Sequence, residues 1–443
     1  MFATALLLLS TLPLAIVSAD TLSAILPLQA TRYGTDLVAN ISIGDSTYQV
    51  LADTGSADLW VLGSNWTCHD SSTDAILPRA ECQFGNKTYT PSPTFSALSS
   101  VWLGERYGDG NAIGPMGFER VQLGEIVIPQ QQIGVVNYSS TIGDRVNTGV
   151  MGLAFSSIAL AHPEGYAPNT SLGLLGETVP YDTVFVSMVQ QGVLPYFSFA
   201  LERLPLGQEK GFGGYLTFGT LPPVAHGDFA TTPVEITQAM PASLTNGTRK
   251  ITEWALSVQA VSWDGKSYDT PFQAVVDTGN WANYFPRGVA AQINAGFSPP
   301  GKLVSPTSRF DSSQLFYSVP CSATPPANVS IQTGGKVFAI DARDMIWRDW
   351  TGECFSSVAP ATPIGDIELP FLGDAFLKNM VAVFDVGKEE MRFAARVDEN
   401  SSDGSGTVVP ASGGSALGRG CCSTVTVMLG VAVVVAASVL FSS

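Results

Sequence analysis

Two stretches of this 443-residue chain decide its architecture: Tyr48-Gln49-Val50-Leu51-Ala52-Asp53-Thr54-Gly55-Ser56 and, 224 residues later, Phe272-Gln273-Ala274-Val275-Val276-Asp277-Thr278-Gly279-Asn280. Each is an apolar run that ends in Asp-Thr-Gly. A given tripeptide arises at about 1 in 8,000 positions, so one chance copy in a chain of this length is a roughly 5% event. Two copies in matching apolar contexts are far rarer. A second pair follows the first: Gly149-Val150-Met151-Gly152-Leu153-Ala154 and Leu369-Pro370-Phe371-Leu372-Gly373-Asp374. The order of apolar strand, Asp-Thr-Gly, then two apolar residues and Gly thus occurs twice. The chain reads as two diverged copies of one lobe.

Around these motifs, strand signals dominate: short β-branched or aromatic runs broken every ten residues or so by Gly, Pro, Asn or Asp. Leu37–Ile43, Val121–Leu123 with Ile126–Ile128, and Tyr215–Phe218 are examples. Helical patterns are short, the best being Thr183–Val189 and Asp374–Leu377. With 44 Gly and 28 Pro, an all-β chain with minor helices is expected. The polar, Gly-rich residues 203–213 suit a junction, giving an N-terminal lobe over 20–205 and a C-terminal lobe over 206–396.

A strand that ends in Asp-Thr-Gly sets a carboxylate on a tight turn, where Gly lets backbone N–H groups come close. Two such turns facing across a pseudo-twofold bring two carboxylates within hydrogen-bonding distance. Like charges that close do not both ionise, so the pair holds one proton over an acid range. The ionised member can then take a proton from water while the protonated member polarises a carbonyl. The candidate catalytic pair is Asp53 and Asp277.

On these residues the chain resembles the pepsin-like aspartic protease family over about residues 32–396. Asp53-Thr54-Gly55-Ser56 with Leu59-Trp60-Val61 is similar to that family's first active-site motif. Tyr107-Gly108-Asp109-Gly110 resembles the tip of its flap, a hairpin that closes over bound peptide. Leu372–Leu377 through Val383-Phe384-Asp385 resembles its C-terminal signature. The resemblance implies a bilobal fold and an endopeptidase acting on proteins or peptides. It makes Tyr107 the flap tyrosine with Trp60 as its hydrogen-bonding partner, and places Thr54 and Thr278 where the two loops are cross-linked. Gly55, Gly279, Gly108 and Asp109 then line the substrate path. Asp109 reads either as a turn residue or as an acceptor for a basic side chain at the cleavage point, as in some fungal relatives.

Two departures stand out. The family carries Thr or Ser after its second Asp-Thr-Gly, with a hydroxyl that donates to the catalytic carboxylate; here the residue is Asn280, whose amide also donates. Its neighbours Trp281-Ala282-Asn283-Tyr284 are bulkier than usual. The family also carries a basic propeptide of some tens of residues. Only 33 residues separate Ala19 from Asp53, and Asp20–Gln29 holds no Lys or Arg, so a very short prosegment or none is expected.

The ends and the surface point to export. Residues 2–17 are apolar and Val17-Ser18-Ala19 offers the small residues of a signal-peptide cleavage site, so 1–19 reads as a secretory signal. Glu399 to Gly420 is Ser/Gly-rich, and 397–420 reads as a flexible stalk. A 17-residue apolar run, Val425 to Phe441, then stops two residues before the end. Small residues, a short spacer and a terminal apolar tail make a GPI-anchor signal over 421–443, with Ser412, Gly413 and Gly414 as attachment candidates. The alternative is a retained transmembrane helix, which ordinarily carries cytoplasmic Lys or Arg after the span. With this tail the chain resembles the yapsin-like, surface-anchored branch of the family.

Eight of the fourteen Asn residues (Asn40, Asn65, Asn86, Asn137, Asn169, Asn246, Asn328 and Asn400) lie in Asn-x-Ser/Thr, against about two or three by chance. Six cysteines are too few to be the framework of so long a chain. Local pairing, Cys68 with Cys82 and Cys321 with Cys354, is the simplest of the possible connectivities; the second pair also fits the family's C-lobe disulfide. Cys421 and Cys422 lie in the segment an anchor-attachment reaction removes. With three histidines and no Cys-x-x-Cys, no metal and no cofactor are expected. A net charge of −16 argues against nucleic acid and suits acid conditions, although it also serves solubility. A monomer is expected. Besides the endopeptidase, two other classes fit parts of the pattern. A non-enzymatic binding protein on the same fold accommodates Asn280, and an adhesion glycoprotein accounts for the anchor but not the duplication.

Overall fold

The structure is a computed structural model that describes residues 22–163, 177–238, 245, 247–305, 314–364 and 367–397. The expected signal, stalk and anchor segments lie outside these residues, as do Asn169, Asn246, Asn400, Ser412, Gly413 and Gly414.

Alternation of apolar and polar residues builds the strands. In Ser46–Asp53 the side chains of Tyr48, Val50 and Ala52 are buried while their neighbours are less so, as a pleat with one inner face requires. Asp36–Ile43 pairs antiparallel with it, Val38 opposite Leu51 and Ile41 opposite Tyr48. The two strands Gly110–Leu123 and Ile126–Ser139 extend far beyond the short runs expected there, paired from Leu123↔Ile126 to Ala112↔Ser139. Tyr215–Phe218 is the end of a longer strand, Gly211–Phe218, which takes up the last residues of the expected junction.

One 15-stranded sheet carries most of the N-terminal half and then continues into the other end of the chain. Ala24–Thr31 pairs with Gly211–Phe218, that strand with Tyr196–Leu201, and that in turn with Met380–Asp385. Glu390–Ala395 and Ala230–Pro233 complete this sheet, and the remaining C-terminal strands form smaller ones, including the five-stranded sheet that holds Phe272–Val276.

The core beneath this shared sheet is aromatic. Phe197 stacks on Phe384 at 4.9 Å and 10°, and Trp254 meets both edge-on at 5.5 and 5.1 Å. The Trp254 indole N–H donates to Leu153 O at 2.9 Å, while its own carbonyl accepts Val276 N at 2.9 Å. One residue, through its side chain and its backbone carbonyl, thereby joins both repeated motifs. Each fully buried aromatic contributes about 1.5–3 kcal/mol by burial.

Helices occur at Val184–Gln190, Arg287–Ala295 and Asp374–Leu377. The second of these was not expected from the sequence. Disulfides join Cys68 to Cys82 and Cys321 to Cys354. Of the described sequon asparagines, Asn40, Asn65, Asn86 and Asn328 are exposed and Asn137 is half-buried. Among the described residues no helix is long and apolar enough to cross a membrane, and no group of three His, Cys, Asp or Glu is arranged to hold a metal ion.

Candidate active site

The duplication read from sequence is also a duplication of backbone geometry. Ser46–Asp53 runs parallel to Gly149–Gly152, with Leu51, Ala52 and Asp53 opposite Val150, Met151 and Gly152. Phe272–Val276 runs parallel to Phe371–Leu372, with Val275 and Val276 opposite Phe371 and Leu372. The loop after each Asp-Thr-Gly then folds onto the strand that follows. Gly152 N donates to Asp58 O at 2.9 Å, and Asp374 N donates to Asn280 O at 2.8 Å. A Cβ at Gly152 would lie 2.4 Å from the Ala57 carbonyl carbon, and one at Gly373 would lie 2.3 Å from Asn280 O. Only glycine lets the loop settle there.

The two Asp-Thr-Gly turns meet face to face. Thr54 N donates to Thr278 Oγ1 at 3.0 Å and Thr278 N donates to Thr54 Oγ1 at 3.0 Å. Each hydroxyl donates onward, Thr54 to Val276 O at 2.9 Å and Thr278 to Ala52 O at 2.8 Å. All four bonds are buried, so the two turns are fixed relative to one another. Above them lie the carboxylates. Asp53 accepts from Gly55 N at 2.8 Å and from Ser56 Oγ at 2.6 Å. Asp277 accepts from Gly279 N at 2.8 Å and from the Asn280 side-chain amide. A Cβ on Gly55 would fall 2.6 Å from Asp277 Cγ, and one on Gly279 would fall 2.7 Å from Asp53 Oδ1. Each glycine thus makes room for the opposite carboxylate.

Asp53 and Asp277 are hydrogen-bonded through their side chains, which requires a shared proton. Burial first, and then the neighbouring Asp53 charge, push Asp277 well above the ordinary carboxylate range. The two carboxyls therefore titrate as a pair. Asn280 fills on one side the donor position that Ser56 fills on the other.

The flap strands Ser96–Tyr107 and Gly110–Leu123 close over this pair, Tyr107 opposite Gly110. The Trp60 indole N–H donates to Tyr107 Oη at 2.7 Å. Gly108 projects into open space at the tip. Asp109 lines the cleft, and its Oδ2 accepts Ile142 N at 3.0 Å, bracing the flap tip against the neighbouring segment.

The cleft has a volume of about 440 Å³ and takes in both carboxylates, Tyr107 and Trp281. Its C-terminal wall is aromatic: Trp281 stacks on Phe316 at 5.4 Å and 18°, and packs against Trp347 at 4.4 Å. Sequence reasoning flagged Trp281 but not its partners, which come from far along the chain. It also missed the acids Asp36, Glu105 and Glu253, which line the same cleft. Burial pushes Asp36 up to about 6 against the opposing pull of Arg32, and pushes Glu253 up to about 7. For Glu105 a signal was present: it precedes Tyr107 by two residues on one strand, so both face the same way.

Two turns locked by paired threonines beneath a proton-sharing carboxyl pair, in a cleft closed by a hairpin, define an aspartic-type peptidase site. The chain belongs to the eukaryotic aspartyl protease family, whose sequence model matches residues 36–396, and it is an aspartic-type endopeptidase, a hydrolase of peptide bonds. It is 35% identical over 82% of its length to a probable aspartic-type endopeptidase of Aspergillus fumigatus, covering 79% of that protein. It is 22% identical to rhizopuspepsin of Rhizopus chinensis over 82% of this chain and 80% of that one. The fold is similar to the crystal structure of the aspartic proteinase from Irpex lacteus, with a TM-score of 0.64 and 21% identity over 86% of this chain and 99% of that one.

Proposed function

We propose that Asp53 and Asp277 activate water to hydrolyse peptide bonds of protein substrates at acid pH. The observation that carries this reading is the threonine-locked pair of turns that sets the two carboxyls face to face, each against the glycine of the other turn. Asp53 takes a proton from the water as its oxygen attacks the scissile carbonyl carbon, and Asp277 gives its proton to the carbonyl oxygen. In the second step the leaving nitrogen takes the proton from Asp53 as the C–N bond breaks. Asp277 recovers its own proton from the diol as the new carboxyl group forms. Tyr107 and Gly108 cover the peptide, and Gly55 and Gly279 leave room for it at the pair.

The test is cleavage of an unfolded protein between about pH 3 and 5, with and without a statine-type inhibitor. Asp53→Asn and Asp277→Asn each abolish cleavage while the protein stays folded. Inhibitor-insensitive cleavage by either variant would sink the dyad.

The enzyme is placed, in this reading, in the secretory pathway as a monomeric glycoprotein with lobes over 20–205 and 206–396. A GPI anchor holds it at the outer face of the plasma membrane or cell wall, as in the yapsin-like branch. The sequon excess, the two local disulfides and the apolar ends support this. Release from cells by a phosphatidylinositol-specific phospholipase tests the anchor; retention after that treatment favours a transmembrane helix.

A further inference from the structure

A second pair of buried acids stands beside the first. Asp58 lies in the loop five residues after Asp53 and is 0% exposed; Glu105 lies on the flap strand Ser96–Tyr107 and is 3% exposed. Their side chains are hydrogen-bonded to one another. Asp58 already accepts two other hydrogen bonds: Oδ2 takes Leu160 N at 2.9 Å and Oδ1 takes the Tyr181 hydroxyl. A hydrogen bond between two carboxyls needs a proton, and Asp58 with its two other donors is the acceptor, so Glu105 is the donor.

Among the described residues, the groups that act most on this pair are acids and tyrosines, with His162 the basic one. From the catalytic loop comes Asp53, from the flap Tyr107, and from the segment after residue 177 Tyr181. Arg106 acts on Glu105 through its backbone N–H. From the edge strand Ala161–Pro163 comes His162, whose burial lowers its proton affinity and leaves it neutral above the acid range. Desolvation, then the Asp58 charge and hydrogen bond, then Asp53, all hold the proton on Glu105.

The contact joins two elements that must be in register for catalysis. Glu105 is two residues from Tyr107 on the same face of the flap, and Asp58 is two residues from Trp60, to which Tyr107 is bonded. We propose that Glu105 is a positioning residue for the flap: protonated, it donates to Asp58 and ties the flap strand to the catalytic loop, and loss of that proton sets the upper pH limit of the enzyme. Ionised, Glu105 and Asp58 are two adjacent buried carboxylates next to a third, Asp53, and their repulsion separates the flap from the loop that carries Asp53 and Trp60. This rests on the dyad reading above, because the limit it sets is a limit on that site's activity.

Glu105→Gln keeps a donor for Asp58 and has no proton to lose. The experiment is kcat/KM from about pH 3 to 8 on a peptide substrate, each enzyme scaled to its own maximum. The alkaline limb of E105Q should move up by about half a pH unit or more, roughly a threefold gain in relative activity at a fixed pH on that limb. Should E105Q be inactive or misfolded, the pH dependence of urea unfolding for wild type and Glu105→Leu decides. Above about pH 5 the wild-type unfolding constant carries an extra factor approaching tenfold per pH unit from this proton, which the variant lacks. An E105Q limb that coincides with wild type or moves down, or an unchanged unfolding slope in E105L, overturns the proposal. Cleavage by Asp53→Asn or Asp277→Asn instead refutes the dyad, whatever Glu105→Gln does.

Discussion

Replacing Thr278 by valine keeps the shape of the side chain and removes its hydroxyl. That hydroxyl accepts Thr54 N and donates to Ala52 O, at 3.0 and 2.8 Å. Thr54 and Ala52 are each 0% exposed, so water does not replace either bond. Leaving a buried donor or acceptor without a partner costs about 1–3 kcal/mol, so two orphaned groups cost about 2–6 kcal/mol. Thr54→Val strips an equivalent pair, Thr278 N and Val276 O, and should cost the same within error. Urea unfolding at about pH 4 measures this as a lower midpoint at unchanged slope. Because the bonds hold the two Asp-Thr-Gly turns in register, kcat should fall as well. A shift of order 1 Å between reacting groups costs about 100-fold. Two variants that each lose under about 1 kcal/mol and keep wild-type kcat would show that the turns are held by something else.

Glu253 is 5% exposed with no partner for Oε2, and burial lifts it from 4.5 to about 7. Its folded form therefore keeps a proton that the unfolded chain loses, so its stabilisation is full below pH 4.5 and declines as pH rises to about 7. Glu253→Gln should gain about 3 kcal/mol relative to wild type between pH 4 and pH 8 in urea unfolding; an equal difference at both pH values contradicts the assignment. Asn280 lowers the proton affinity of Asp277 by donating to it. In the Glu105→Gln background, where the dyad alone sets the alkaline limb, Asn280→Ala should move that limb of kcat/KM up by about one pH unit, the worth of one charge-assisted hydrogen bond; a limb that stays put there means the amide does not act on the dyad.

The site was legible in sequence because its chemistry is local. Asp53, Thr54, Gly55 and Ser56 are consecutive, and their repeat at Asp277 carries the symmetry that brings them together. Glu105 was legible only by its spacing from Tyr107, which gives its face but not its burial, since a charged residue in a strand reads as solvent-facing unless its partner is known. That partner, Asp58, lies 47 positions earlier. The helix Arg287–Ala295 was hidden by its length, with only Val289, Ala290, Ile293 and Asn294 buried on one short face. Strand pairing between Tyr196–Leu201 and Met380–Asp385 left no trace in pattern, because nothing local records which distant apolar strand is the neighbour.

That last pairing also sets when this enzyme can become active. Tyr196–Leu201 stays an open sheet edge until Met380–Asp385 reaches it, and Met380–Asp385 is among the last strands to leave the ribosome. Phe384, which stacks on Phe197 and meets Trp254, arrives on that strand. The aromatic support under both carboxyl turns is thus completed only at the end of synthesis. At about 5–20 residues per second the N-terminal motif waits roughly 10–45 s for its counterpart and roughly 15–65 s for Phe384. A half-made chain is therefore no protease, and the cell that makes it is spared a partly synthesised enzyme that cuts its neighbours.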